Sequence, residues 1–320
     1  MNVLITGGTG FVGKASARDI RIDGNMKVVA AVRNVSNQFP TGVEQVVVGD
    51  LLANTDYSHA LKNVEVVIHA AARVHVMQDN AANPLAEFRK VNVDGTLNLA
   101  RQTVEAGAKR FIFISSIKVN GESTLEDRPF NPDDTYITTD PYGASKREAE
   151  QGLLALAEET GLEVVIIRPP LIYGPGVKAN FRSLLKWMSR GMPLPFGAVH
   201  NKRSFVAIDN LVSFIRLCVD HPKAANEIFL ISDGEDVSTA MLLRKIAKAF
   251  GRKAMLLPIP VGLMQFMANV IGKGDVANRL FGSLQVDSAK ARNLLGWKPV
   301  VTMDEQLKKT AEAYLHETNL

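Results

Sequence analysis

A single cysteine, Cys218, in a chain of 320 residues rules out an internal disulfide and any cysteine-built metal site. It lies in the apolar run from Leu211 to Val219, where a core position is expected. Spacings of the kind that bind metal are absent, as are internal repeats and low-complexity tracts. No apolar run approaches the ~20 residues of a membrane-spanning helix. The stretch Ile259 to Ile271 is broken by Gly262, Gln265 and Asn269, and is expected to form an amphipathic packing helix, with peripheral membrane contact as the alternative. No secretory leader is recognisable before the first strand, so a cytoplasmic location is expected. The 37 basic and 33 acidic residues give a net charge of +4 without a basic stripe, which suits anionic small molecules and argues against nucleic acid. An apolar content of 46% is enough for one large or two coupled domains.

What is present is more specific. In Asp140-Pro141-Tyr142-Gly143-Ala144-Ser145-Lys146, Pro141 favours a helix start. Tyr142 and Lys146 are then one turn apart on one face. A free phenol titrates near about 10, too high for efficient acid–base work at neutral pH. An ammonium about 4 Å away would favour the phenolate by roughly 4 kcal/mol at an effective dielectric of ~20, or about three pKa units. Such a tyrosine can exchange a proton with a substrate oxygen. The plain alternative is an exposed helical pair.

The N-terminus favours the catalytic reading. Asn2 to Thr6 is a short apolar strand, and Phe11 to Ile22 a helical stretch. Between them Gly7, Gly10 and Gly13 recur at Gly-x-x-Gly-x-x-Gly spacing, the turn that lets backbone approach a pyrophosphate at a helix N-terminus. A third element, Arg110 to Ile114, reads as a buried strand ending in Ser115-Ser116. Hydroxyls at the carboxyl end of a parallel strand face the ligand crevice of an open α/β sheet.

Strands are expected near 2–6, 27–32, 44–48, 64–69, 110–115, 163–168 and 227–231. Helices are expected near 11–22, 84–106, 142–160, 178–190, 208–220, 239–250, 287–295 and 303–316. The alternation predicts an α/β, doubly wound parallel sheet of Rossmann type, with a smaller, mostly C-terminal lobe.

These features together resemble the extended short-chain dehydrogenase/reductase family, whose members mostly act on nucleotide sugars. The resemblance rests on Thr6 to Gly13, Gly49-Asp50-Leu51, His69 to Ala72, Val91 to Thr96, Ser115-Ser116 with Val119-Asn120-Gly121, and Tyr142 to Lys146. It continues through Arg168 to Pro175, Arg203 to Asp209 and Leu295 to Pro299. It implies a dinucleotide-binding domain of residues 1–168 plus 205–232 and a nucleotide-sugar lobe of 169–204 plus 233–320. Its catalytic hydroxyl stands five residues before Gly121, which selects Ser116 to act with Tyr142 and Lys146. It assigns Gly7, Gly10, Phe11, Val12, Arg33, Asp50, Leu51, Ala70, Ala71, Ala72, Asn92 and Pro169, beside Tyr142 and Lys146, to the cofactor. Arg73, Lys118, Asn180, Arg203 and Arg279 are assigned to the substrate, with His75 nearby. Asn120 departs from the pattern, since many relatives carry a tyrosine there. The resemblance also suggests a homodimer through the helices near 84–106 and 142–160.

The cofactor expectation turns on Arg33 at the end of the second strand, where an NAD site usually places an acid. An arginine pairs with a 2′-phosphate, so NADP(H) is expected over NAD(H). The run Ser115 to Glu122 resembles that of bacterial reductases acting on UDP-4-keto-6-deoxy-N-acetylglucosamine, which form UDP-N-acetylquinovosamine for surface polysaccharide. The leading expectation is therefore an NADPH-dependent 4-ketoreductase of a UDP-sugar. An NAD-dependent UDP-hexose or UDP-N-acetylhexosamine 4-epimerase is the alternative. A non-catalytic nucleotide sensor would not need the tyrosine–lysine pair.

Overall fold

The computed structural model describes residues 1–22, 24, 26–74, 83–125, 127–134, 138–270, 272 and 274–318. The chain opens with β1 (Asn2–Thr6), α1 (Phe11–Ile22), β2 (Lys27–Val32), β3 (Val43–Val47) and β4 (Val66–His69). Then come α2 (Pro84–Arg89), a π-helical turn (Lys90–Gly95), α3 (Thr96–Glu105), β5 (Arg110–Ile114), α4 (Pro141–Thr160), β6 (Glu163–Arg168) and β7 (Leu171–Tyr173). Next are α5 (Ala179–Ser189), β8 (Phe205–Ala207), α6 (Ile208–Asp220), β9 (Glu227–Leu230) and α7 (Thr239–Ala249). The chain ends with α8 (Val261–Val270), α9 (Gly274–Phe281), α10 (Ala289–Leu295) and α11 (Met303–Thr318).

Seven strands form one parallel sheet in the order β3-β2-β1-β4-β5-β6-β9. The strands are apolar on both faces because helices cover both. Val3, Ile5, Ile68, Ile112 and Ile167 pack on one side against Ile20 of α1, Phe214 and Cys218 of α6 and Leu295 of α10. Their neighbours Leu4, Val67, Phe111, Phe113 and Ile166 face the other side, against Leu99 of α3 and Leu153 of α4. This period-two division is what the pleat requires. Cys218 is buried in the first core, as its apolar setting suggested.

The strand order reverses between β1 and β4, so a crevice opens beyond their carboxyl ends, the place where such sheets bind ligands. The two short strands β7 and β8 form a separate parallel pair. They share a third core with α5, α7 and α11, including Tyr173, Phe181, Leu243 and Leu307. Residues 205–207 thus pair with 171–173, and the chain rejoins the large sheet at β9.

Two helical expectations are corrected. The helix expected over 84–106 is interrupted by the π turn Lys90–Gly95, which periodicity alone could not reveal. The stretch around Ile259 to Ile271 does form a helix, α8, but it is not a packing helix: none of its side chains is buried. Among the described residues no helix is long and apolar enough to cross a membrane.

Candidate active site

The crevice is built from the glycine turn upward. Gly7 adopts φ +67°, and a Cβ there would lie 2.6 Å from the Ala71 amide nitrogen. A Cβ on Gly13 would come within 2.7 Å of the Gly7 carbonyl carbon. Only bare backbone lets the turn after β1 nest against both α1 and the Ala70-Ala71 segment after β4. Ala71 N donates to Thr6 Oγ1 at 3.3 Å and Ala70 N to Thr6 O at 3.3 Å, tying the two strand ends together. The first-turn amides of α1, including Phe11 and Val12, have no intrahelical partner and directly follow this turn in the chain. The cradle thus suits a dinucleotide pyrophosphate.

Below it, His69 is fully buried, with Nδ1 2.6 Å from Thr6 Oγ1 and Nε2 2.9 Å from Thr96 Oγ1. Burial, reinforced by nearby Lys146, pushes its pKa down to about 3. The folded chain therefore holds His69 neutral, while the unfolded chain protonates it near about 6.5. Stability should be intact above about pH 6.5 and fall below it, by at most ~1.4 kcal/mol per pH unit from this group. Urea unfolding in steps from neutral towards mildly acidic pH reads this slope. His69→Gln, which retains a donor and an acceptor, should flatten it; an unchanged slope would exonerate His69.

Asp140 starts α4, its Oδ1 accepting from the Gly143 amide at 2.8 Å with Pro141 next in line. Its Oδ2 accepts from Lys118 Nζ at 2.8 Å, and Glu122 Oε1 lies 3.4 Å from the same ammonium. A Cβ on Gly143 would be 2.7 Å from the Lys118 carbonyl oxygen. Glycine is what lets the one-turn 3₁₀ helix Ile117–Val119 lie against the start of α4, beside Tyr142. Ser116 caps that turn, its Oγ accepting from Lys118 N at 3.3 Å, and Ile117 N donates to Pro169 O at 3.0 Å. Ser115 is occupied elsewhere: its Oγ donates to Glu150 Oε1 at 2.5 Å in the buried interior. That leaves Ser116 as the hydroxyl at the crevice.

The tyrosine–lysine electrostatics differ from the simple expectation. Lys146 is fully buried, donates from Nζ to Ile114 O at 2.8 Å and lies 4.3 Å from the centre of the Phe113 ring. Burial pulls its pKa down to about 7, against the opposing pull of Glu150 one turn away. Burial, helped by Asp140, pushes the Tyr142 phenol up rather than down. One-turn spacing alone implies a solvated ammonium tuning the phenol; here burial is the largest cause of both shifts.

Asn92 sits in the π turn, accepting from Arg73 N at 2.8 Å and donating to Arg73 O and Ser145 Oγ at 3.0 Å each. Its carboxamide braces β4's end against α4 and is taken up within the protein. The Arg73 guanidinium lies 5.8 Å from the Phe88 ring centre, and Phe88 meets Tyr142 edge-on. Leu51 packs where a Cβ of Gly95 would fall, and Asp50 Oδ1 lies 3.7 Å from Arg33 Nη1, both side chains exposed. Ala72 follows the Ala70-Ala71 segment at the crevice edge.

The substrate candidates are more dispersed. Arg203 donates from Nη1 to Gly282 O at 2.9 Å, and its backbone pairs with Val237 and Leu284. The strip 283–287 also pairs with Thr124 and Phe130, which links Arg203 to the loop after Ser116. Burial lowers the Arg203 pKa. Asn180 is exposed at the start of α5, next to Ala179, whose φ of +51° is unusual for a side-chain-bearing residue. The Arg279 side chain and His75 lie outside the described residues. A cavity of about 740 Å³ opens beside the Lys118–Asp140 pair, lined by Asn120 to Leu125, Arg128 to Asn131, Asp134, Thr138 and Thr139. Among the described residues no cluster of His, Cys, Asp or Glu could hold a metal ion.

Sequence reasoning missed Asp140 and Glu150. The Asp-Pro helix start signalled the first, and the i, i+4 spacing from Lys146 signalled the second. Asn120, the departure noted above, is fully buried: it accepts from Arg168 Nη1 at 3.1 Å and donates to Asn131 O at 2.8 Å.

Residues 3–232 match the model of the NAD dependent epimerase/dehydratase family. The chain belongs to that family. It is 50% identical over 319 residues to a UDP-glucose 4-epimerase of Vibrio cholerae, covering 99% of this chain and 97% of that one. A UDP-glucose 4-epimerase from Thermotoga maritima, solved with UDP-glucose, superposes with a TM-score of 0.75 at 25% identity, each chain fully covered. A UDP-glucuronic acid 4-epimerase from Bacillus cereus, solved with NAD, superposes at 0.79 with 21% identity and 99% coverage of each chain. The Rossmann-type sheet expected from the alternation is therefore the observed fold, and the family makes the chain an NAD(P)-dependent enzyme of the short-chain dehydrogenase/reductase type.

Proposed function

We propose that this protein is an NAD-dependent 4-epimerase of a UDP-hexose or UDP-N-acetylhexosamine. The observation that carries the reading is the 50% identity, over 99% of the chain, to the V. cholerae UDP-glucose 4-epimerase. This favours the epimerase alternative over the ketoreductase first expected from the Ser115 to Glu122 run. The preference for NADP(H) loses its basis as well. Arg33 has Asp50 beside it at 3.7 Å, and that carboxylate both offsets the arginine and repels a 2′-phosphate.

In this reading the Gly7–Gly13 cradle, Ala70 to Ala72, Asp50 and Leu51 hold the dinucleotide. NAD bound there supplies an acceptor, and then a donor, for the hydride at C4 of the sugar. Tyr142 takes the proton from the sugar 4-hydroxyl and returns it after the ring has presented its other face. Ser116 holds the same oxygen. Lys146, kept partly charged by Glu150, orients the ribose and supports the phenolate as it forms. Arg73 and Lys118 face the sugar from the crevice rim, and Arg203 and Asn180 the pyrophosphate and nucleoside.

The test is incubation of the pure protein with UDP-glucose and, separately, UDP-N-acetylglucosamine, without added nucleotide. Nuclear magnetic resonance should show the galacto epimer appearing, with no net nucleotide reduction or oxidation. The proposal fails if both sugars stay unchanged while UDP-4-keto-6-deoxy-N-acetylglucosamine is reduced with one NADPH consumed per sugar.

A further inference from the structure

Helix α8 carries an apolar stripe that the rest of the described chain leaves uncovered. Leu263, Phe266, Met267 and Val270 recur at i, i+3, i+4 and i+7 and are 52%, 66%, 60% and 71% exposed. The helix contains no charged residue. Exposed Met255 and Leu257 precede it, joined through the Pro258-Ile259-Pro260 bend. Pairing of Leu194 with Met255 and Leu257 brings exposed Met192 to the same edge. Soluble surfaces rarely leave so many large apolar side chains together without a use.

The sequence leading into this patch is basic, and its next acid after Asp236 is Asp275. From Val237 to Gly274 the sequence holds six basic residues and no acid. Two of the six, Lys245 and Lys248, pair with Asp304 at the far end of α7. Arg252 and Lys253 are exposed immediately before Met255, and the Arg252 guanidinium lies against the turn that holds exposed Arg190. An apolar stripe of Leu, Phe and Met flanked by cations is the composition of a helix that lies in a bilayer interface. A second copy docked by the same face would bring its own cations towards these, with no acid between Val237 and Gly274 to answer them.

We propose that α8 and its basic flank form a docking face for an anionic phospholipid surface. Leu263, Phe266, Met267 and Val270 enter the acyl boundary while Arg190, Arg252 and Lys253 meet the headgroup phosphates. The chain then sits on the membrane without spanning it.

Flotation of the intact protein with vesicles tests this. The protein should float with vesicles of equal parts phosphatidylglycerol and phosphatidylcholine at low salt. It should float much less at high salt, and not with phosphatidylcholine alone. A Phe266→Ser/Val270→Ser double variant should lose binding about tenfold or more, and so should Arg252→Gln/Lys253→Gln. Both should keep the wild-type melting temperature, because the altered side chains are exposed. The proposal is overturned if wild type does not float with anionic vesicles at low salt, or if the variants float as well as wild type. It is likewise overturned if wild type fails to float and Phe266→Ser/Val270→Ser lowers the mass measured by light scattering, which would make α8 an interface between copies.

Discussion

Tyr142→Phe should cut turnover of a UDP-hexose by about 10²–10⁴-fold, the range of a lost general acid–base. The ring remains, its edge contact with Phe88 is preserved, and only the transferable proton goes. Affinity for the dinucleotide should change little, because its cradle is made by Gly7, Gly13 and Ala71. Lys146→Met should be as damaging to turnover, since the phenol, pushed up by burial, would then ionise without a neighbouring cation. Steady-state rates and nucleotide titration read both variants. A near wild-type rate in Tyr142→Phe would remove the tyrosine from the chemistry.

Glu150→Gln should cost about 3–5 kcal/mol of stability, the usual consequence of breaking a buried ion pair from one side. Glu150 accepts three hydrogen bonds from Arg168, Oε2 from Nη2 at 2.6 Å and from Nε at 3.2 Å, and Oε1 from Nε at 3.0 Å, and both side chains are buried. Without the carboxylate, the buried Arg168 guanidinium has only neutral acceptors, the new amide oxygen, Asn120 Oδ1 at 3.1 Å and Pro132 O at 3.2 Å. Urea unfolding measures the loss. Replacing both partners, Glu150→Leu with Arg168→Met, should recover much of it, because the Arg168 charge no longer stays buried without its carboxylate. A Glu150→Gln protein as stable as wild type would show that the pair contributes nothing net. A second readout separates this structural effect from catalysis. Glu150 holds the Lys146 pKa up, so its loss should move the alkaline limb of the pH–rate profile to lower pH.

Local patterning was sufficient for much of the molecule. The seven strands of the main sheet were legible because each is a short, β-branched run bounded by turn residues, and runs such as Phe111 to Ile114 are apolar on both faces. The glycine spacing and the Pro141 helix start were equally legible, since turn and helix-start chemistry is local. The expectation of Ser116 rather than Ser115 was not available from the residues themselves and came from the family resemblance; only the tertiary structure places Glu150, 35 positions away, where it takes the Ser115 hydroxyl.

The rest was decided by contacts between distant segments. The π turn holds Asn92, whose carboxamide spans from Arg73 to Ser145, a pairing no helical period encodes. The direction of the Tyr142 and Lys146 shifts depended on how deeply both are desolvated, which spacing along a helix cannot say. Whether Arg33 stands alone or beside Asp50 depended on β2 and β3 lying side by side with their carboxyl ends together. The apolar character of α8 was plain from its residues, but which side of the protein surface it belonged to was not. A helical period marks a face as apolar; only the packing of every other segment determines whether that face is covered.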